Sequence, residues 1–301
     1  MIDWDKLRIF HAVAGAGSFT NASEQLNLSQ SAISRQISSL EERLKVSLFT
    51  RHARGLTLTE QGEILFSAAN EILNRLSVTE NSLLESKERP RGPLKITAPV
   101  AFGTTWLTPR MNEFSQAYQD IDISMLIDDK ELDLNKREAD VAIRLFPAKH
   151  PDLIQLKLTV LRNSIYASHE YLKKHGVPQK AKELSDRKLV IFGDDRKHPF
   201  YGGNWILKTL GANNPPKTPP FKINTMLGIV KAVESGMGIT SLPDYIGRSN
   251  PLLTKILPEV NGPQTDVYFI YSTEIRNLKR VKVFKEFMLR KLSEDGLGRA
   301  S

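Results

Sequence analysis

Apolar residues keep a helical beat through the first eighty positions. Leu7, Phe10, His11 and Ala14 follow the i, i+3, i+4, i+7 spacing of one helix face. The run GAGS breaks that helix, since glycine admits a tight turn. Ser18 then caps a second helix with Phe19, Ala22 and Leu26 inward, and after the turn NLS, Ser29 caps a third with the stripe Ile33, Ile37, Leu40 and Leu44. Two helices joined by so short a turn predict a helix-turn-helix. Next, VSLFTRHARGLTLTEQG places two short, partly alternating runs around RHARG, which predicts a hairpin or wing bearing Arg51, His52 and Arg54. From a cap at Thr59, the residues Leu65, Ala69, Ile72, Leu76, Thr79 and Leu83 recur at spacings of four and three. That heptad seam predicts a helix about 45 Å long that pairs with a partner helix, the alternative being a helix laid on its own domain's core. ERPRGP, at residues 88–93, ends it with Pro90, Gly92 and Pro93.

Beyond residue 93, strand-like and helix-like runs alternate. LKITA, IDISML, ADVAIRLF, LVIF, GMGITSLP and DVYFIY read as strands. Helices are predicted through Leu107, Met111, Phe114 and Tyr118, around Met226–Glu234, and over 278–292 with Val281, Phe284, Phe287, Met288 and Leu292 inward. This order predicts an α/β region with mainly parallel sheets.

The third helix carries a second pattern on its other side. Gln30, Ser34 and Ser38 are four apart, with Ser31 and Arg35 alongside, so five polar residues form one strip near the helix start. Serine is a middling helix former, but it is short and lets a helix axis come close to a partner. A helix fits the DNA major groove, where Gln pairs bidentately with adenine and Arg with guanine. The same strip also fits an ordinary solvated face. The wing tilts the balance, because Arg51 and Arg54 suit flanking phosphates or a minor groove.

Charge adds little to this. The chain of 301 residues has a formal net charge of +8, yet residues 1–90 hold 10 Lys and Arg against 11 Asp and Glu. The basic excess therefore lies outside the helical region. No cysteine occurs, which excludes disulfides, thiolate nucleophiles and thiol redox sensing and is compatible with the cytoplasm. No run approaches a membrane span, and MIDWDKLRIF does not read as a signal peptide. GMG lacks the full dinucleotide spacing, and there is no HExxH, P-loop or G-x-S-x-G. The six histidines are scattered without metal-ligand spacing, and Asp128 and Asp129, beside Lys130 and Glu131, read as a solvated loop. No catalysis, cofactor or metal is expected.

The run from FHAVAGAGSF to LTLTEQG, with the core A-x-x-L-x-x-S-Q-x-A-x-S-x-Q-I-x-x-L-E, resembles the DNA-binding domain of LysR-type transcriptional regulators over residues 3–62. More narrowly, DWDKLRIFHAVA with RHARGL is similar to the LsrB/VtlR-like branch, whose cysteine-based sensing this chain cannot share. LKITAP, LTPR, EADVAIRL, YASHEYLKKHG and VESGMGITSLP resemble the effector domain of the same regulators. The resemblance implies a winged helix-turn-helix at 1–58, a linker and dimerisation helix at 59–89, and a periplasmic-binding-protein-like domain at 90–301. That domain would have two α/β subdomains, one at about 93–161 with 268–292 and one at about 162–267. It implies double-stranded DNA with an inverted repeat, a small-molecule effector, a homodimer or homotetramer, and RNA polymerase as a further partner. The candidate DNA contacts are Ser18, Thr20, Gln30, Ser31, Ser34, Arg35, Ser38, Arg51 and Arg54.

Ligands of open α/β sheets sit beyond the carboxyl ends of strands. Those ends are PVAFGTT, RLFP, FGDD and NTM. They offer Val100, Phe102, Thr104, Thr105, Phe146, Phe192, Asn224 and Thr225 as effector contacts, the alternatives being plain helix capping for Thr104, Thr105, Asn224 and Thr225 and core packing for the three phenylalanines. Arg144 is the candidate for an anionic group on the effector, or else a structural partner of an acid such as Asp140.

Overall fold

Each N-terminal helix begins at the cap its sequence supplies. In the computed structural model, α1 (Trp4–Ala16) starts where Asp3 accepts from the Asp5 and Lys6 N–H groups, and ends at Gly17 with φ of 66°. Ser18 accepts from Asn21 N to open α2 (Phe19–Leu26), which closes at Asn27 in the left-handed region. Ser29 accepts from Ala32 N to open α3 (Gln30–Leu44). β1 (Phe49–His52) and β2 (Gly55–Leu58) pair antiparallel as the predicted wing. Thr59 accepts from Gly62 N at 3.0 Å and starts α4 (Glu60–Leu84). The structure describes residues 2–52, 55–84, 89–130, 132–134, 137–193, 204–211 and 214–297, and the chain divides into two units, Met1–Leu84 and Glu85–Ser301.

The first unit has its own core of Leu7, Phe10, Val13, Ala22, Ile33, Ile37, Leu40, Leu48 and Ala69. The three predicted apolar stripes meet there. Two contacts aim the wing. Glu41, on α3, accepts from the N–H groups of Leu48 and Phe49, and Leu56 N bonds Gly17 O at 3.1 Å. Gly62 must be glycine for space: a Cβ there would lie 2.1 Å from Leu48 O.

Ala69 corrects the seam reading of α4. It is fully buried in the helix-turn-helix core, and Leu65 packs against that core too. His11 fastens the same stretch, bonding Asn70 Oδ1 at 2.6 Å and stacking on Phe66. The early part of the heptad thus lies on its own domain, the alternative left open by spacing. Ile72 and Leu76 are 43% and 42% exposed, and Thr79 is exposed. For Leu83 and Arg51 the description extends to the backbone, and Arg54 lies outside the described residues.

The second unit begins with β3 (Gly92–Ala98). α5 (Val100–Phe102) runs on through a π turn and a 3-10 turn into α6 (Met111–Ala117). β4 (Ile121–Ile127), β5 (Val141–Arg144), β6 (Leu153–Ser168) and α7 (His169–His175) follow. Then come β7 (Val190–Phe192), α8 (Trp205–Thr209), β8 (Phe221–Ile223) and α9 (Met226–Glu234). β9 (Ile239–Pro243), α10 (Asp244–Ser249), β10 (Leu253–Ile256), β11 (Gln264–Ser272) and α11 (Lys279–Glu294) complete it.

The expectation of mainly parallel sheets is corrected here. A seven-stranded sheet has the order β10-β6-β11-β5-β3-β4, with β9 also on β6. Only β3–β4 and β3–β5 are parallel in it; β11–β5, β11–β6, β10–β6 and β6–β9 are antiparallel. The cause is β6, sixteen residues long. Its first part pairs with β11 and its last part with β9 and β10, so it passes from one lobe to the other and β11 returns beside it. The strand is hard to read from pattern because its burial changes along its length, from partly covered to buried on both faces. The proposed subdomain limit at 161/162 falls inside β6. Among the described residues, no helix is long and apolar enough to cross a membrane, and no group of three His, Asp or Glu could hold a metal ion.

Candidate functional site

In the first unit, α3 presents the polar strip. Ile33, Ile37 and Leu40 are buried, which turns Gln30, Ser31, Arg35 and Ser38 outward as exposed residues, with Ser34 half-buried. Neither Gln30 nor Arg35 has a side-chain hydrogen bond among the described residues, so their forks remain available to a partner. Ser31 meets the Ser29 hydroxyl at 3.1 Å. Ser18 is half-buried and committed to capping α2, while Thr20 beside it is exposed. Exposed amide, hydroxyl and guanidinium groups thus stand together near the start of α3.

In the second unit, the carboxyl ends of several strands converge on a cavity of about 270 Å³. Pro99, Val100 and Phe102 reach it from the end of β3, Asp128 and Asp129 from β4, and Leu145 from β5. Phe192 ends β7 and Gly193 follows it, while Asn224 and Thr225 lead from β8 into α9, which begins at Met226. The crossing strands add Leu161, Asn163 and Thr265, and Pro243 and Tyr245 close the wall. The volume lies near the small end of the roughly 300–1,000 Å³ usual for small-molecule sites. Asn204 clamps Phe192, accepting from its N–H and donating to its carbonyl. Burial pushes the Tyr245 hydroxyl upward, helped by the charge of Asp129 and opposed by a hydrogen bond with Thr105, so it stays neutral.

Residues 4–63 match the family described as bacterial regulatory helix-turn-helix protein, lysR family, and residues 87–293 match the LysR substrate binding domain. The chain belongs to the LysR family. It is a DNA-binding transcriptional regulator with a substrate-binding domain for an effector. It is 31% identical to the regulator CrgA of Neisseria meningitidis, over 98% of both chains. The solved CrgA structure has a TM-score of 0.56 at 28% identity, covering 97% of this chain and 99% of that one. A full-length OxyR variant from Pseudomonas aeruginosa shares the fold, with a TM-score of 0.69 at 17% identity over 96% and 98%.

The cleft of this LysR regulator gathers Val100, Phe102, Phe192, Asn224 and Thr225 from the predicted set. It does not gather Thr104, Thr105, Phe146 or Arg144. The two threonines lie in the π turn, inside the helix and not at its start, where Thr105 Oγ1 donates to Ala101 O. Thr225 does open α9, accepting from Gly228 N at 3.0 Å, and lines the cavity as well.

Arg144 is 3% exposed, with its guanidinium donating to Ile143 O, Thr97 Oγ1 and Lys130 O at 3.0–3.1 Å. It anchors the loop after β4 and is not among the residues that line the cavity. Arg144→Ala is therefore expected to lower stability by about 2 kcal/mol in urea unfolding, through lost charged hydrogen bonds. An unchanged urea midpoint would contradict this anchoring role. Asp140 accepts from Lys95 N at 2.8 Å, and burial, opposed by that bond and by nearby cations, raises its carboxyl. A raised carboxyl contributes stability at low pH and loses it as pH rises through the folded value. Asp140→Asn keeps an acceptor for Lys95, so it should be more stable than the natural chain at neutral pH, with the gain vanishing on acidification in paired urea titrations.

The pattern missed Asp128 and Asp129 as cleft residues, along with Asn163, Tyr245 and Thr265. The two aspartates had a usable signal, since they follow the end of a predicted strand. The others had none, because their place depends on the crossing of β6 and β11.

Proposed function

We propose that this regulator binds an inverted-repeat promoter site as a dimer or higher oligomer, with α3 in the major groove and the wing on flanking backbone. Gln30, Ser31, Ser34, Arg35 and Ser38 read or approach the bases; Ser18, Thr20, Arg51 and Arg54 hold backbone phosphates. The carrying observation is the exposed, unengaged Gln30 and Arg35 beside a buried apolar stripe. Ile72, Leu76, Thr79 and Leu83 supply the seam to a second copy, leaving Leu65 and Ala69 to the domain core. An effector enters the cleft lined by Val100, Phe102, Phe192, Asn224 and Thr225 and shifts the equilibrium between placements of the DNA-binding heads. The chain acts in the cytoplasm by binding, without catalysis or cofactor, and meets RNA polymerase at the promoter. The reading is tested by gel shift on the DNA upstream of its own gene, at stated salt because phosphate contacts are salt-dependent. Specific retention that competitor DNA of scrambled sequence does not remove supports it; equal competition by both refutes it.

A further inference from the structure

The charged groups that line the cleft are two carboxylates, Asp128 and Asp129, among amides and hydroxyls that can both donate and accept. Asp128 and Asp129 stand together after β4, each using one oxygen on a backbone N–H, of Lys130 at 2.9 Å and Val100 at 3.0 Å. Both are exposed, and neither forms an ion pair among the described residues. By themselves they would be an ordinary solvated loop. A second observation comes from the crossing strands. Thr265 is 6% exposed and lines the cavity, and its buried Oγ1 has no hydrogen-bond partner among the described residues. Buried hydroxyls are normally paired, so an unpaired one on a cavity wall suits a partner that arrives with a ligand. Next to it, Asn163 donates to Pro263 O at 3.0 Å, and its carboxamide oxygen is left over.

The rest of the wall is apolar, with Phe102, Leu161, Phe192 and Met226. Among the described lining residues there is no Lys, Arg or His, and Arg144 is committed elsewhere. A carboxylate ligand would meet two like charges there, whereas an ammonium group would find two free carboxylate oxygens.

We propose that the cleft selects a small organic cation: a primary amine at Asp128 and Asp129, an apolar body against Phe102, Phe192 and Met226, and a polar substituent meeting Thr265. The proposal rests on the reading of this cleft as the effector site. Amines of this kind are protonated at neutral pH, as lysine is with a pKa of about 10.4.

The test titrates the full-length chain with tyramine, with its carboxylate isostere 3-(4-hydroxyphenyl)propanoate, and with the corresponding amide, by calorimetry and thermal shift. Tyramine is expected to bind at least about ten-fold more tightly than the carboxylate. Asp128→Asn and Asp129→Asn keep the oxygen that receives the backbone N–H, so both should fold; each should weaken tyramine by about 10- to 100-fold, the range of a charged hydrogen bond. Thr265→Val should weaken tyramine without lowering the melting temperature of the free chain, an outcome that a purely structural threonine would not show. Equal or tighter binding of the carboxylate, tyramine binding indifferent to both Asn changes, or binding of none of the three probes at millimolar concentration overturns the proposal. Gly193→Leu separates the two readings, since a Cβ there meets nothing nearer than 3.9 Å and the side chain fills the cavity wall. Carboxylate binding that Gly193→Leu abolishes leaves the cleft as the site and removes the cation. Probe binding that survives Gly193→Leu removes the cleft itself.

Discussion

A chain carrying Ile72→Glu together with Leu76→Glu is expected to sediment as a folded monomer, in contrast to the oligomer proposed for the natural chain. Both side chains are over 40% exposed on α4, so the unit's own core does not need them. Changes at such positions usually move stability by less than about 0.5 kcal/mol. In a two-fold pair of helices each residue is buried twice, and a large apolar side chain contributes roughly 1.5–3 kcal/mol when fully buried. Four apolar contributions would be lost, and four carboxylates would face desolvation in the seam. DNA retention at an inverted repeat should fall with the dimer, because each head alone reads one half-site. Ala69→Glu gives the contrasting result. It puts a charge into the helix-turn-helix core and should unfold that unit, visible as lost helical circular dichroism. A double glutamate chain that still sediments as an oligomer would show that α4 is not the seam.

Gln30→Ala or Arg35→Ala is expected to relax sequence choice with little loss on random DNA. A bidentate base pairing contributes about 1–3 kcal/mol of discrimination, roughly 5- to 150-fold in relative affinity. Neither side chain is committed to the protein, so removing it should not perturb α3, whose grip on the core is Ile33, Ile37 and Leu40. Arg51→Ala, at a residue proposed to hold backbone phosphate, should instead weaken all sequences alike and reduce the salt slope by about one. Competition gel shifts at two salt concentrations separate the two behaviours. Equal loss on specific and random DNA in the Gln30 or Arg35 variants would remove their base-reading role.

The first unit was legible because its information is local. Ser18, Ser29 and Thr59 cap helices as their positions predict, and the strip on α3 follows from spacing alone, given that Ile33 and Ile37 must face inward. The wing followed from two short runs around a basic turn. Where one helix has two faces to satisfy, pattern falls short. Leu65 and Ala69 share a heptad with Ile72 and Leu76, yet one pair meets its own domain and the other meets solvent.

In the second unit, strands such as Gly92–Ala98 and helices such as Met226–Glu234 could be read from periodicity and β-branched runs. The cleft could be read only in part: Val100, Phe102, Phe192, Asn224 and Thr225 follow from strand ends, but Asn163 and Thr265 join them only through the long strand Leu153–Ser168 and its antiparallel partner. Arg144 shows the reason at the scale of one side chain. It ends a strand that points at the cleft, but three acceptors on Ile143, Thr97 and Lys130 draw its guanidinium aside. Helix caps, apolar stripes and the polar strip on α3 rest on contacts within a few residues, and such contacts are written in the order of the chain. The direction of a buried guanidinium and the chemistry of a cleft rest on acceptors supplied from distant segments, and only folding brings those together.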